Sequence, residues 1–182
     1  MKIPNILTAA RIFLTPLLVW LLLGNHVVPA FLVFVAAGVT DALDGLLARV
    51  LDQKTRLGSF LDPLADKLLL VTSFLVLCEV PIDGVHIPAW LVFFTVGRDV
   101  LILSGFFLLL LYKVRFEIKP LVSSKLTTLF QLLSIFTVLG RSVFTLPGWT
   151  YQVLFAVTAV FSVLSGWRYV SRGMFLYRQS AQ

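Results

Sequence analysis

Six long apolar blocks, roughly residues 9–26, 29–48, 62–80, 88–111, 121–140 and 149–170, follow one another along this 182-residue chain with only short breaks. Each is close to the ~20 residues that a helix needs to cross a bilayer at ~1.5 Å rise per residue. The breaks hold turn formers: Gly24-Asn25 and Pro29, then Pro81, Gly84 and Pro88, then Pro147-Gly148. Strands are excluded because the runs greatly exceed strand length and lack period-2 alternation. Composition agrees, with 59% hydrophobic residues, 13% charged and a mean hydropathy of +0.97. A water-soluble domain carries about a quarter of its residues as charges, enough to coat its surface. The expected fold is therefore all-α: a polytopic membrane protein with six transmembrane helices, its length suiting a single membrane domain over 1–182. Residues 3–11 read as a short N-terminal interfacial helix leading into the first span. A cleaved leader is not expected, since the first run is long for one and Arg11 interrupts its approach.

Charge placement sets an orientation. Of the 15 Lys and Arg residues, thirteen fall at the two termini and at the connections near 49–61 and 112–125, Arg141 falls on the opposite side, and Arg98 lies within the fourth block. With six spans this is a strong positive-inside bias, placing both termini in the cytoplasm of a cytoplasmic-type membrane. The net charge of +6 is spread between apolar blocks and not gathered in one patch, so nucleic acid is not the expected partner. Cys78 sits in an apolar run and reads as an inert thiol. His26 and His86 lie in short connections with no third ligand nearby, so zinc is not expected.

Ionisable groups at membrane depth are costly and functional by default. Asp41 and Asp44 end the second block, and Asp62 and Asp66 begin the third. Spacings of three and four put each pair on one helical face. The two helices are joined by a short cytoplasmic connection, so the pairs can meet near the cytoplasmic surface. Converging carboxylates repel, and a cation relieves the repulsion. Oxygen ligands alone suit Mg²⁺, Mn²⁺ or Ca²⁺. Facing carboxylate helices can hold two such ions, an arrangement that clamps a phosphoryl group during displacement. Asp62, followed by Pro63, can also be read as a helix N-cap. Gly45 and Ala48 continue the Asp44 face as a notch where a ligand could approach the backbone, Arg49 offers a planar fork suited to phosphate, and Gly58 lets the connection turn. Helix packing is the competing reading for the small residues.

The run Asp41-Ala-Leu-Asp44-Gly45-Leu-Leu-Ala48-Arg49, eight residues, Gly58, three residues, Asp62, three residues, Asp66 resembles the signature of the CDP-alcohol phosphotransferases, with every fixed position filled. The resemblance implies transfer of a substituted phosphoryl group from a CDP-linked donor, usually CDP-diacylglycerol, to an alcohol, with release of CMP. It implies that Asp41, Asp44, Asp62 and Asp66 hold two divalent cations, Mg²⁺ or Mn²⁺. Asp66 would also act as general base on the acceptor hydroxyl. Gly45, Ala48, Arg49 and Gly58 would cradle the cytidine diphosphate, and Asn5 and Arg11, in a similar N-terminal opening, would contact the donor phosphates. A homodimer in membrane lipid is also implied. No activated Ser or Cys stands near the motif, so no covalent intermediate is required.

Two later segments bear on the acceptor. Gly97-Arg98-Asp99 and the run from Pro120 through Ser124-Lys125 to Gln131 resemble the cardiolipin synthases of that family, whose acceptor is phosphatidylglycerol. The related phosphatidylglycerophosphate synthases, which use glycerol 3-phosphate, usually show Arg-Glu, a further Arg two turns on and Gly-Lys. Here those places hold Arg98-Asp99, Ser104-Gly105-Phe106-Phe107 and Ser124-Lys125. Arg98 and Lys125 are therefore the acceptor-binding candidates. An ion pair with an aspartate is the alternative for Arg98, and snorkelling to the interface for Lys125. A six-span transporter is the rival class, but its acids would be expected near the midplane of repeated halves, and this chain shows neither.

Overall fold

A computed structural model describes the backbone of residues 3–50, 56–111 and 122–180, and the side chains of residues 10–41, 65–105, 123–171, 173 and 174. Its described elements are helical throughout: α1 (Ile3–Leu23), α2 (Val27–Val50), α3 (Arg56–Glu79), α4 (Ala89–Leu111), α5 (Val122–Leu139), a 3₁₀ turn at Gly140–Ser142, and α6 (Gly148–Ser180). Six helices match the six apolar blocks, with three differences at their ends. The segment 3–11 is no separate interfacial helix but the first half of α1, because nothing between Asn5 and Arg11 breaks a helix. Asp62 and Gly58 lie inside α3, which begins at Arg56, so Asp62 is not its N-cap and Gly58 is not in the connection. A proline removes one backbone donor without having to end a helix, and α3 runs through Pro63. The last helix continues to Ser180, about three turns past the last apolar block.

The chain contacts divide into two compact units, Met1–Ile87 with Ile135–Leu146, and Pro88–Ser134 with Pro147–Gln182. In the first, α1 packs against both α2 and α3. Helical spacing explains which faces meet. Arg11, Thr15, Leu18 and Leu22 form one buried stripe on α1, and Ala30, Phe34 and Ala37 form another on α2 that runs on to Asp41. On α3 the buried Ala65, Leu69, Leu70, Ser73, Phe74 and Leu77 follow the same rule. Alanines on the α2 and α3 stripes let α1 approach closely. Between α3 and α4, Ile82 and Val85 exchange backbone hydrogen bonds around Asp83-Gly84. Both turn residues have positive φ, 47° and 80°, the requirement that Asp-Gly meets in a tight two-residue turn. His26 and His86 lie in connections, as expected, and Cys78 is a half-buried free thiol.

The 3₁₀ turn is tied to this loop: Arg141 Nε donates to the Asp83 carbonyl at 3.0 Å and Ser142 Oγ to the Asp83 carboxylate at 2.8 Å. Beside it, the Phe144 ring lies in a cluster with Phe31 and Phe136, centroids 6.2 and 5.8 Å away. A Cβ on the buried Gly140 would collide with that ring. Gly140→Ala is therefore expected to cost about 1–3 kcal/mol through overpacking. A fall in the thermal midpoint of the purified protein measures it, and an unchanged midpoint would mean that the ring yields freely.

The second unit buries polar residues and exposes apolar ones. Its buried positions include Thr95, Arg98 and Asp99 on α4, Ser123, Thr127, Gln131 and Ser134 on α5, and Thr158, Ser162 and Ser165 on α6. Large apolar side chains stand outside, among them Phe93 at 74% exposure and Trp167 at 71%. The pattern inverts that of a water-soluble domain, where charged and hydroxyl residues lie mostly outside. Hydroxyls here satisfy carbonyls and join helices: Thr127 donates to the Phe161 carbonyl at 3.0 Å, and Ser134 and Thr158 share a hydrogen bond of 3.0 Å. Among the described residues, one helical stretch, Gly148–Ser171, is long and apolar enough to cross a membrane by length and composition, with shorter apolar helices at Ala10–Leu23 and Val27–Asp41.

Candidate active site

The register that buries Leu18 and Leu22 also buries Arg11, one turn before Thr15, with 1% of its surface exposed. Thr15 Oγ1 donates to the Arg11 carbonyl at 3.0 Å, next to Pro16, which has no N–H to give. From this position the guanidinium reaches both neighbouring helices. Nη1 donates to Asp66 Oδ1 on α3. Nη2 lies 2.9 Å from Asp41 Oδ1 on α2, an ion pair outside hydrogen-bonding geometry. Nε has no hydrogen-bond partner among the described residues. The two carboxylates are far more open than the arginine, with side-chain exposures of 50% for Asp41 and 39% for Asp66. A buried cation thus lies beneath two half-exposed acids.

Asp41 and Asp66, two of the acids that the sequence singled out, do come together, although they lie inside α2 and α3 and not at their ends, because α2 continues to Val50 and α3 begins at Arg56. They do so by way of α1, which the carboxylate spacing could not reveal. Asp44 and Asp62 lie in the same helices, and their side chains fall outside the described residues, as do those of Asn5, Gly45, Ala48, Arg49 and Gly58. Among the described residues no group of three metal-type side chains gathers. The two that converge are oxygen donors only, open on one side and already facing a positive charge. That donor chemistry fits a hard divalent cation.

The acceptor candidates lie in the second unit. Arg98 is 5% exposed and fully engaged: Nη1 pairs with Asp99 at 2.5 Å, Nη2 donates to Ser165 at 2.9 Å and also to Ser124, and Nε lies 3.3 Å from Ser165. Its ion-pair partner is the adjacent aspartate. Sequence reasoning would not favour this pairing, because successive helix residues point about 100° apart. Lys125, next to Ser124 on α5, is exposed. Ser124 and Ser165 are the partners that sequence reasoning missed. The one signal for Ser165 was hydroxyl spacing, with Thr158, Ser162 and Ser165 recurring at four and three along an otherwise apolar helix.

The description of the CDP-alcohol phosphatidyltransferases matches residues 1–165 of the chain. A CDP-diacylglycerol–glycerol-3-phosphate 3-phosphatidyltransferase of Aquifex aeolicus is 36% identical over 139 residues, covering 76% of this chain and 75% of that protein. The enzyme of the same description from Bacillus subtilis is 30% identical and covers 94% of each chain. A CMP-forming cardiolipin synthase of Rattus norvegicus is 33% identical over 94% of this chain, which spans 61% of that longer protein. By a match that takes in α1, both aspartate-bearing helices and nearly all of the remainder, the chain belongs to the CDP-alcohol phosphatidyltransferase family of enzymes.

Proposed function

We propose that the protein transfers a phosphatidyl group from CDP-diacylglycerol to an alcohol, releasing CMP, and that the alcohol is phosphatidylglycerol, which makes the product cardiolipin. The convergence of Asp41 and Asp66 over the buried Arg11 carries the reading. Asp41, Asp44, Asp62 and Asp66 would hold two divalent cations, Mg²⁺ or Mn²⁺, which when bound neutralise the diphosphate and ease the departure of CMP. Gly45, Ala48, Arg49 and Gly58 would hold the cytidine diphosphate, with Asn5 and Arg11 at the donor phosphates. Asp66 takes the proton of the acceptor hydroxyl. That oxygen then bonds the phosphorus bearing the diacylglycerol, and the bond from this phosphorus to the bridging oxygen breaks, with its electron pair leaving on CMP.

The state of Arg98 supports the lipid acceptor. A guanidinium balanced by Asp99 and spent on two serines adds no net charge for the phosphomonoester of glycerol 3-phosphate. The second N–H of Nη1, beyond the one that meets Asp99, would donate to the singly charged phosphodiester of phosphatidylglycerol, with Lys125 at the headgroup. Glycerol 3-phosphate is the second reading, favoured by what the Aquifex and Bacillus relatives are called. The exposed aromatic and aliphatic side chains support a single six-span domain in a cytoplasmic-type membrane. The charge bias supports termini and aspartates on the cytoplasmic side. A homodimer belongs to the same proposal.

The test is a paired assay on detergent-purified protein with CDP-diacylglycerol, Mg²⁺ or Mn²⁺, and either acceptor, following both CMP and the lipid product. Cardiolipin from phosphatidylglycerol is expected, with activity removed by a chelator and restored by added metal. Phosphatidylglycerophosphate from glycerol 3-phosphate would establish the second reading. Absence of metal-dependent CMP release with both would overturn the chemistry.

A further inference from the structure

Arg11 has features that a purely structural counter-ion would not need. It is buried, yet Nε lacks a hydrogen-bond partner among the described residues and Nη2 meets Asp41 only as an ion pair. Buried donors left unpaired are costly, so a fold that keeps them commonly has a further partner for them. Both oxygens that Arg11 faces belong to carboxylates of the proposed metal site. A cation using those oxygens would share the guanidinium's space and repel its charge. Charge balance points the same way. The four aspartates carry four negative charges and two divalent cations four positive ones, so a loaded site leaves nothing for Arg11 to balance. The donor diphosphate then supplies oxygens that suit the fork of a guanidinium.

We propose that Arg11 is an exchangeable counter-ion. It holds Asp41 and Asp66 against α1 until divalent cations load, is displaced by them, and turns its donors to the diphosphate of the CDP-linked substrate. This rests on the metal reading given above and deepens it. Metal and donor binding become coupled through one side chain, with the cation freeing the group that completes the phosphate site. The open carboxylates above Arg11 provide the route by which cations reach it.

Mn²⁺ binding, followed by electron paramagnetic resonance on the full-length detergent-solubilised protein without nucleotide, tests this directly. Removing the competing charge in Arg11→Gln should tighten Mn²⁺ binding about tenfold, while CDP binding to the Mn²⁺-loaded variant weakens. Arg11→Lys, which keeps a charge but cannot bridge both oxygens, should fall between. A second measurement uses the unaltered protein: phenylglyoxal labelling of Arg11, read by mass spectrometry. Labelling should be low without cation, rise severalfold at saturating Mn²⁺ and fall again when CDP is added. Mn²⁺ binding that is equally tight or weaker in folded Arg11→Gln would overturn the exchange and make Arg11 a fixed support of the metal ligands. Arg11 labelling that ignores Mn²⁺ would overturn it equally. Failure of the unaltered protein to bind Mn²⁺ would remove the metal reading itself, and the exchange with it.

Discussion

Asp66→Asn is expected to lower metal-dependent CMP release by a factor of about 10²–10⁴, the usual contribution of a positioned general base. The change replaces one carboxylate oxygen by an amide nitrogen of nearly the same size. It therefore removes basicity and metal affinity without opening a cavity. The fold should survive, because Arg11 keeps its ion pair with Asp41 on α2 and the stripe of Leu18 and Leu22 is untouched. Thermal midpoint and elution volume of the variant should match the unaltered protein while turnover disappears. Asp41→Asn, measured beside it, should reduce turnover through metal affinity and recover in part at higher Mn²⁺. Asp66→Asn should not recover, since added metal cannot restore a missing base. Turnover within twofold of normal in Asp66→Asn would remove Asp66 from the chemistry.

The second large effect concerns Arg98. Arg98→Met takes the guanidinium away from Asp99, which is 5% exposed, and from the hydroxyls of Ser124 and Ser165. Breaking a buried ion pair from one side costs about 3–5 kcal/mol, whereas removing both charges together is often close to neutral. Arg98→Met should therefore lower the thermal midpoint sharply, and Arg98→Met combined with Asp99→Asn should recover most of the loss. The recovered variant then isolates the role in binding. Its KM for phosphatidylglycerol should rise by about ten- to a hundredfold, the worth of one charge-assisted hydrogen bond of about 1.5–3 kcal/mol, with KM for CDP-diacylglycerol unchanged. A stable double variant with normal KM for both substrates would show that Arg98 is a structural strut of α4, α5 and α6.

Much of this architecture is legible in the residues. The apolar blocks mark six helices because they exceed strand length and lack period-2 alternation, and a helix satisfies their backbone groups with local bonds alone. Asn25 and Gly84, read as breaks, adopt the positive φ that ends or reverses a chain, and Asp83 joins them. Sequence and structure part where a local signal has two meanings. Asp62-Pro63 looks like a helix start, yet α3 begins at Arg56 and passes through it. Residues 3–11 look interfacial, yet they form the first half of α1 without a break.

The number of helices and the helix that carries each acid can be read from the residues alone, since periodicity and breakers act over a few positions. Which charges meet is a matter of packing. Arg11 finds Asp66 across 55 residues, and Arg98 finds Ser165 across 67. Such pairings depend on the rotation and depth at which one helix packs on the next. Helical spacing says which side chains share a face, and packing alone says what that face opposes.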